Sequence, residues 1–170
     1  MEEAGTQHEA NPSRMEAVRA HSVAELLECP AAIGHLLNNS VKFLNFDAGE
    51  IVFRQAGICH GLYLVLSGRF QRRTERLEVH LMLGPVRTGD MVELAAALGD
   101  NRHTYTLAAQ SAGSLLMLPI DALNQAFQNY PPLRMRLLEE LAREVSRAYI
   151  TCCLGRAVRS RHENPAARLA

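Results

Sequence analysis

Glu93 and Arg102 are the residues of this chain whose types and spacing could do chemistry together. They flank a short apolar stretch that follows the turn-like run Gly89-Asp90-Met91-Val92-Glu93-Leu94-Ala95 and reads as the start of a small helix. A carboxylate accepts from sugar hydroxyls, and a guanidinium offers a planar fork of donors to a phosphate. A helix start adds unpaired backbone N–H groups that favour an anion. The combination is a pocket for a sugar phosphate. Elsewhere the sequence offers no nucleophile with a base and no catalytic dyad, so it reads as a sensor and not an enzyme.

Metal chemistry finds no support in the spacing. His60, His80 and His103 form no His-x-His pair and have no glutamate a few residues behind them. Cys29, Cys59, Cys152 and Cys153 lack ligand spacing as well, and adjacent Cys152 and Cys153 on a helix cannot easily pair with one another. Free thiols in a reducing compartment are expected, with no role assigned to Cys152 or Cys153. An iron–sulfur centre needs several cysteines held together, and Cys29 stands alone in the N-terminal part of the chain. The expectation is no metal and no resident cofactor.

The elements that must position Glu93 and Arg102 follow from periodicity. With 48% hydrophobic and 21% charged residues, a chain of 170 residues has enough apolar material for one domain with a true core. Residues 1–21 read as a flexible arm. Ser22 has Glu25 at the capping-box spacing ahead of Leu26 and Leu27, and Pro30 opens a second short helix through Ile33, Leu36 and Leu37.

From Val41 the period changes to that of strands, in Val41–Phe46, Ile51–Phe53, Leu62–Leu66, Phe70, Val79–Leu83, Thr104–Leu107 and Ser114–Leu118. Glycines at 49, 57, 61, 68, 84, 89 and 99 punctuate the runs. Short strands at close spacing predict an antiparallel sandwich, barrel or jelly roll. A helix from Ile120 stops at Tyr130-Pro131-Pro132. A longer one, Leu133 to Leu154, carries the apolar stripe Leu137, Leu141, Val145 and Tyr149, with Gly155 as its stop. The fold class is therefore mostly β with flanking helices: a β-roll within residues 22–154, followed by a basic tail, 155–170.

Three segments carry a family resemblance: Asp47-Ala48-Gly49-Glu50-Ile51-Val52-Phe53, then Gly61-Leu62-Tyr63-Leu64-Val65-Leu66-Ser67-Gly68-Arg69, then Gly89-Asp90 with Glu93-Leu94-Ala95. Asn129-Tyr130-Pro131 before the long helix fits as well. The layout from about Val23 to Ala148 resembles the cyclic-nucleotide-binding domain of catabolite-activator-type regulators, kinase regulatory subunits and cyclic-nucleotide-gated channels. The resemblance implies that Gly89–Arg102 is a phosphate-binding cassette for cAMP or cGMP. Glu93 would then accept from the ribose 2′-hydroxyl, Arg102 would pair with the cyclic phosphate, and the backbone near Leu94–Ala96 would complete the cradle. It also implies that the long helix lids the ligand and pairs with its twin in a homodimer through Leu137, Leu141, Val145 and Tyr149. Three departures stand out. Val92 occupies a position where the family has glycine, His103 and Thr104 stand where it has two small residues, and the Gly57–Gly61 loop is one residue short.

Two functions follow from different classes. One is a cyclic-nucleotide sensor that transmits occupancy through its C-terminal helix to a separate protein partner. The other is a degenerate member acting as a dimerisation module without a nucleotide. Zero net charge and the missing second helical pattern after Leu154 predict no specific nucleic-acid binding. The absence of an apolar run of roughly 18 residues and of a signal-like start predicts no membrane contact and a cytoplasmic location.

Overall fold

The computed structural model describes residues 23–74 and 84–162. Two short helices, α1 (23–26) and α2 (Ala31–Asn38), precede the strands β1 (Lys42–Phe46), β2 (Ile51–Phe53), β3 (Gly61–Ser67), β4 (Phe70–Arg73) and β5 (Met91–Val92). After β5 come α3 (Leu94–Leu98), β6 (Thr106–Ala109), β7 (Gly113–Pro119), α4 (Ile120–Asn129) and α5 (Pro131–His162). The strands form two antiparallel sheets, ordered β1-β7-β3-β5 and β2-β6-β4. The result is a β-roll with flanking helices, as the strand spacing predicts.

β3 and β7 read as unbroken apolar runs because both of their faces are covered. Tyr63 and Val65 of β3, with Leu115 and Met117 of β7, face the space between the sheets, where they meet Phe53, Phe70, Val92 and Leu107. Leu62, Leu64, Leu116 and Leu118 point the other way, onto Leu37, Leu123, Leu133 and Leu137 of the helices. Register fixes this division: Tyr63 lies opposite Met117 and Leu64 opposite Leu116, and a slip of one residue would exchange the two cores. Gly61 permits the closest approach of the pair, since a Cβ there would lie 2.3 Å from the Leu118 carbonyl oxygen.

Several expectations change. β5 is a strand only because β3 supplies its hydrogen bonds, with Tyr63 opposite Val92; alone, two residues read as part of a turn. The strand expected from Thr104 begins at Thr106. The Val79–Leu83 strand, the arm and Ser22 lie outside the described residues. The long helix runs through Gly155 to His162, because glycine in a helix costs only about 1 kcal/mol and stops it only when it turns left-handed.

The stripe of α5 is divided. Leu133 and Leu137 are buried in the helix-facing core, Leu141 is half-buried against it, and Val145 and Tyr149 are exposed. Leu137, expected in a dimer contact, is only 2% exposed and already spent within its own domain. Leu137→Ala should therefore lower unfolding free energy by about 2–5 kcal/mol in urea denaturation, while Val145→Ala should stay within about 0.5 kcal/mol of the parent. Equal effects at the two positions would contradict this division of the stripe.

Candidate ligand-binding site

The cassette is built at the junction of β5, α3 and the loop into β6. Gly89 has φ +92° and open space around it, so its role is the backbone turn from which β5 leaves. Val92 belongs to that strand and is fully buried in the inter-sheet core. The left-handed residue is Glu93 itself, at φ +70° and ψ 29°. A non-glycine there costs roughly 1–2 kcal/mol, and local bonds hold it in place. Its N–H donates to the Tyr105 hydroxyl (3.3 Å), and its carbonyl accepts from the Ala97 N–H (2.9 Å). The side chain turns inward, where Oε2 accepts from the Thr104 N–H (3.3 Å) and Oε1 from the Thr104 hydroxyl (3.5 Å).

Arg102 does not meet Glu93. Residues 56–59 and 101–103 run antiparallel: the N–H groups of Ala56, Cys59 and His103 donate to the carbonyls of His103, Asn101 and Gly57, at 2.8, 2.8 and 2.9 Å. Ile58 lies opposite Arg102 across this bridge. Side chains alternate along such a pair, so Ile58 and Arg102 face solvent while Cys59 and His103 face the interior. The Arg102 guanidinium donates to the Ala56 carbonyl (3.1 Å), and its own N–H to the Asp100 carboxylate (3.1 Å). In the space beside Glu93 stands His103, its ring stacked on Phe53 at 3.8 Å between centroids. His103 Nδ1 lies 3.7 Å from Glu93 Oε2. Burial raises the Glu93 carboxyl to about 7, opposed by the bonds from Thr104 and by Arg72. Burial also lowers the His103 imidazole to about 4. Between those values both are neutral, so this contact is no ion pair.

A cavity of about 270 Å³ opens between Glu93, Leu94, Ala95, Thr104 and Tyr105 on the barrel and Leu141, Glu144, Val145 and Ala148 on α5. A second, of about 410 Å³, shares Leu94, Glu144 and Ala148 and extends to Arg72, Gly89, Asp90 and Arg147. Of the expected site residues, Gly89, Glu93, Leu94, Ala95 and Thr104 border this cleft, whereas Val92, Arg102 and His103 do not. Among the described residues the cations that do are Arg72 of β4 and Arg147 of α5. Arg72 is the one tied to both walls. Its guanidinium bonds Glu144 of α5 at 2.9 Å, lies 5.2 Å from the Tyr105 ring centroid, and keeps a buried Nε without a hydrogen-bond partner. Arg72, Tyr105 and Glu144 were not legible in the sequence. Arg72 sits beside Arg73 in a polar strand end, and Glu144 is one of several charges flanking the stripe.

Fold and cassette together define a domain of the cyclic-nucleotide-binding type. The chain belongs to the cyclic nucleotide-binding domain family, whose description matches residues 43–130. It resembles the sensor domain of the transcriptional regulator DNR from Pseudomonas aeruginosa (TM-score 0.63, 22% identity, 80% of this chain and 91% of that one). It also resembles the regulatory domain of Toxoplasma gondii PKA solved with cAMP (TM-score 0.64, 14% identity, 76% and 49%). Among sequence relatives are the lysophospholipase NTE1 of Mycosarcoma maydis, 25% identical over 119 residues, and mouse patatin-like phospholipase domain-containing protein 7, 24% over 127 residues. The matches cover 68% and 74% of this chain but only 6% and 9% of those proteins. No helix among the described residues is long and apolar enough to cross a membrane.

The two buried groups make opposite contributions to stability. The folded chain keeps a proton on Glu93 that the unfolded chain loses near its ordinary value of 4.5, so that contribution falls as pH rises from 4.5 to about 7. His103 in the folded chain lacks, between about 4 and its ordinary 6.5, a proton that the unfolded chain holds. Its contribution therefore rises with pH across that window. Glu93→Gln removes the first effect. The variant should gain stability relative to the parent between about pH 5 and about pH 7.5 in thermal or urea unfolding. A difference that stays flat across that range would show that Glu93 titrates normally.

Proposed function

We propose that this protein is a regulatory sensor that binds a cyclic nucleotide, cAMP or cGMP, in the cleft beneath α5 and passes occupancy through α5 to a protein partner. The observation that carries this reading is the Arg72–Glu144 pair, which ties the barrel to α5 across the mouth of the cavity. An incoming phosphate can replace Glu144 as the partner of Arg72, one anion for another. That exchange frees or reseats α5. N–H groups in the first turn of α3, which have no carbonyl four residues behind them, supply further donors around Leu94 and Ala95. Glu93 braces the cassette from behind and accepts from a ribose hydroxyl if Thr104 yields. The outer half of α5, where Val145, Tyr149 and Ile150 are exposed, then serves contact with a second copy.

One observation favours the second reading, an interaction module without a nucleotide. Arg102 faces solvent, and His103, stacked on Phe53, fills the interior beside Glu93. Calorimetric titration with cAMP and cGMP separates the two. The parent should bind one of them, and Arg72→Ala should lose about 2–5 kcal/mol while Arg102→Ala changes little. No heat from the parent with either nucleotide supports the interaction module. Loss with Arg102→Ala but not Arg72→Ala would mean that the cassette opens to bring Arg102 in.

The dimer has its own measurement. Light scattering should give twice the chain mass for the parent and a single chain for Tyr149→Glu/Ile150→Glu. A parent that stays monomeric at high micromolar concentration refutes the contact.

A further inference from the structure

Cys59 and His103 take no part in the sensing scheme, yet they meet Glu93 inside the barrel. The Cys59 Sγ, a Glu93 carboxylate oxygen and a His103 ring nitrogen all lie within 4.8 Å of one another, and all three residues are buried. His103 Nδ1 is buried and has no hydrogen-bond partner; Glu93 Oε2, at 3.7 Å, lies beyond hydrogen-bond reach. The Ile58 backbone is the other polar group beside the imidazole. Nδ1 lies unpartnered in the buried interior beside a Glu93 carboxyl oxygen. A buried ring nitrogen without a partner is costly unless a further group or ion satisfies it.

We propose that Cys59, Glu93 and His103 form a buried site for a divalent metal ion of the zinc class. A thiolate with an imidazole and a carboxylate suits zinc, and the thiolate disfavours magnesium or calcium. Bonds of about 2.3 Å to sulfur and about 2.0 Å to nitrogen and oxygen put tetrahedral ligand atoms roughly 3.3–3.6 Å apart. The Glu93–His103 separation already approaches that spacing, and side-chain rotation of about an ångström closes the widest gap. The supporting contacts are in place. Thr104 holds both carboxylate oxygens, and Phe53 stacks on the imidazole and fixes its plane. The Cys59 thiol now donates to the Gly61 carbonyl at 3.1 Å. On coordination the thiol proton and the Glu93 carboxyl proton pass to solvent, and the two groups bind as thiolate and carboxylate. The fourth position is left to water, reached through the cavity that Glu93 borders.

The test uses the full chain, stripped with chelator, kept reduced and titrated with Co²⁺ as a coloured stand-in for zinc. A near-ultraviolet thiolate-to-cobalt band should saturate at about one equivalent per chain and disappear when Zn²⁺ is added. Cys59→Ser and His103→Gln should weaken binding roughly tenfold or more, whereas Cys29→Ser and Cys152→Ser/Cys153→Ser should retain the band. Zn²⁺ should also raise the Tm of the parent but not that of Cys59→Ser. If Cys59→Ser does not fold, X-ray absorption of the zinc-loaded parent decides, with a single sulfur among nitrogen and oxygen ligands expected. A parent without the band, a band that survives Cys59→Ser or vanishes with Cys29→Ser, or a zinc shell with several sulfurs or none overturns the site.

Discussion

The short antiparallel bridge between residues 56–59 and 101–103 decides which side chains of the cassette reach the interior. Ile58 and Arg102 face one another across it on the solvent side, so by alternation Cys59 and His103 are turned inward. A shift of one residue in that pairing would send Arg102 inside and His103 out. The stacking of His103 on Phe53 and the three backbone hydrogen bonds of the bridge oppose such a shift. The electrostatic character of the site follows from this parity. The interior beside Glu93 holds a neutral ring where the family resemblance puts a guanidinium, and burial then pushes the Glu93 carboxyl toward its uncharged form.

The counter-charge has moved to the other wall. Arg72 reaches the cleft from β4, shares the Tyr105 ring and is held by Glu144 of α5. Tyr105 links the two halves, since its hydroxyl also receives the Glu93 N–H and so steadies the left-handed turn. The helix that covers the cleft is thus tied to the sheet by a contact between charges, while Leu133 and Leu137 anchor its first turns in the apolar core. A helix fixed at one end by burial and latched midway by an ion pair is mechanically suited to report what lies beneath it.

Strain and chemistry meet at Glu93. Its left-handed backbone, its buried carboxylate and its two contacts from Thr104 come from different parts of the chain and stabilise one conformation. That rigidity serves a brace better than a mobile ligand contact. It also keeps Oε2 directed at His103 and Cys59, the geometry from which the metal site is inferred.

Much of the architecture was legible in the residues themselves. The short apolar runs at Ile51–Phe53, Leu62–Leu66 and Ser114–Leu118, the glycine punctuation and the Tyr130-Pro131-Pro132 break are local signals, because backbone sterics and burial act over a few residues. They located the cassette and its family. What they could not carry was anything decided across the sheet. β5 exists because β3 pairs with it, and Val92, which stands where the family has glycine, is a core residue. Leu137 and Val145 differ only in what packs on them. The inward turn of His103, the outward turn of Arg102 and the arrival of Cys59 and Arg72 depend on register between segments dozens of residues apart. Side-chain alternation makes such a register a choice between two opposite faces, and only the assembled tertiary contacts make that choice.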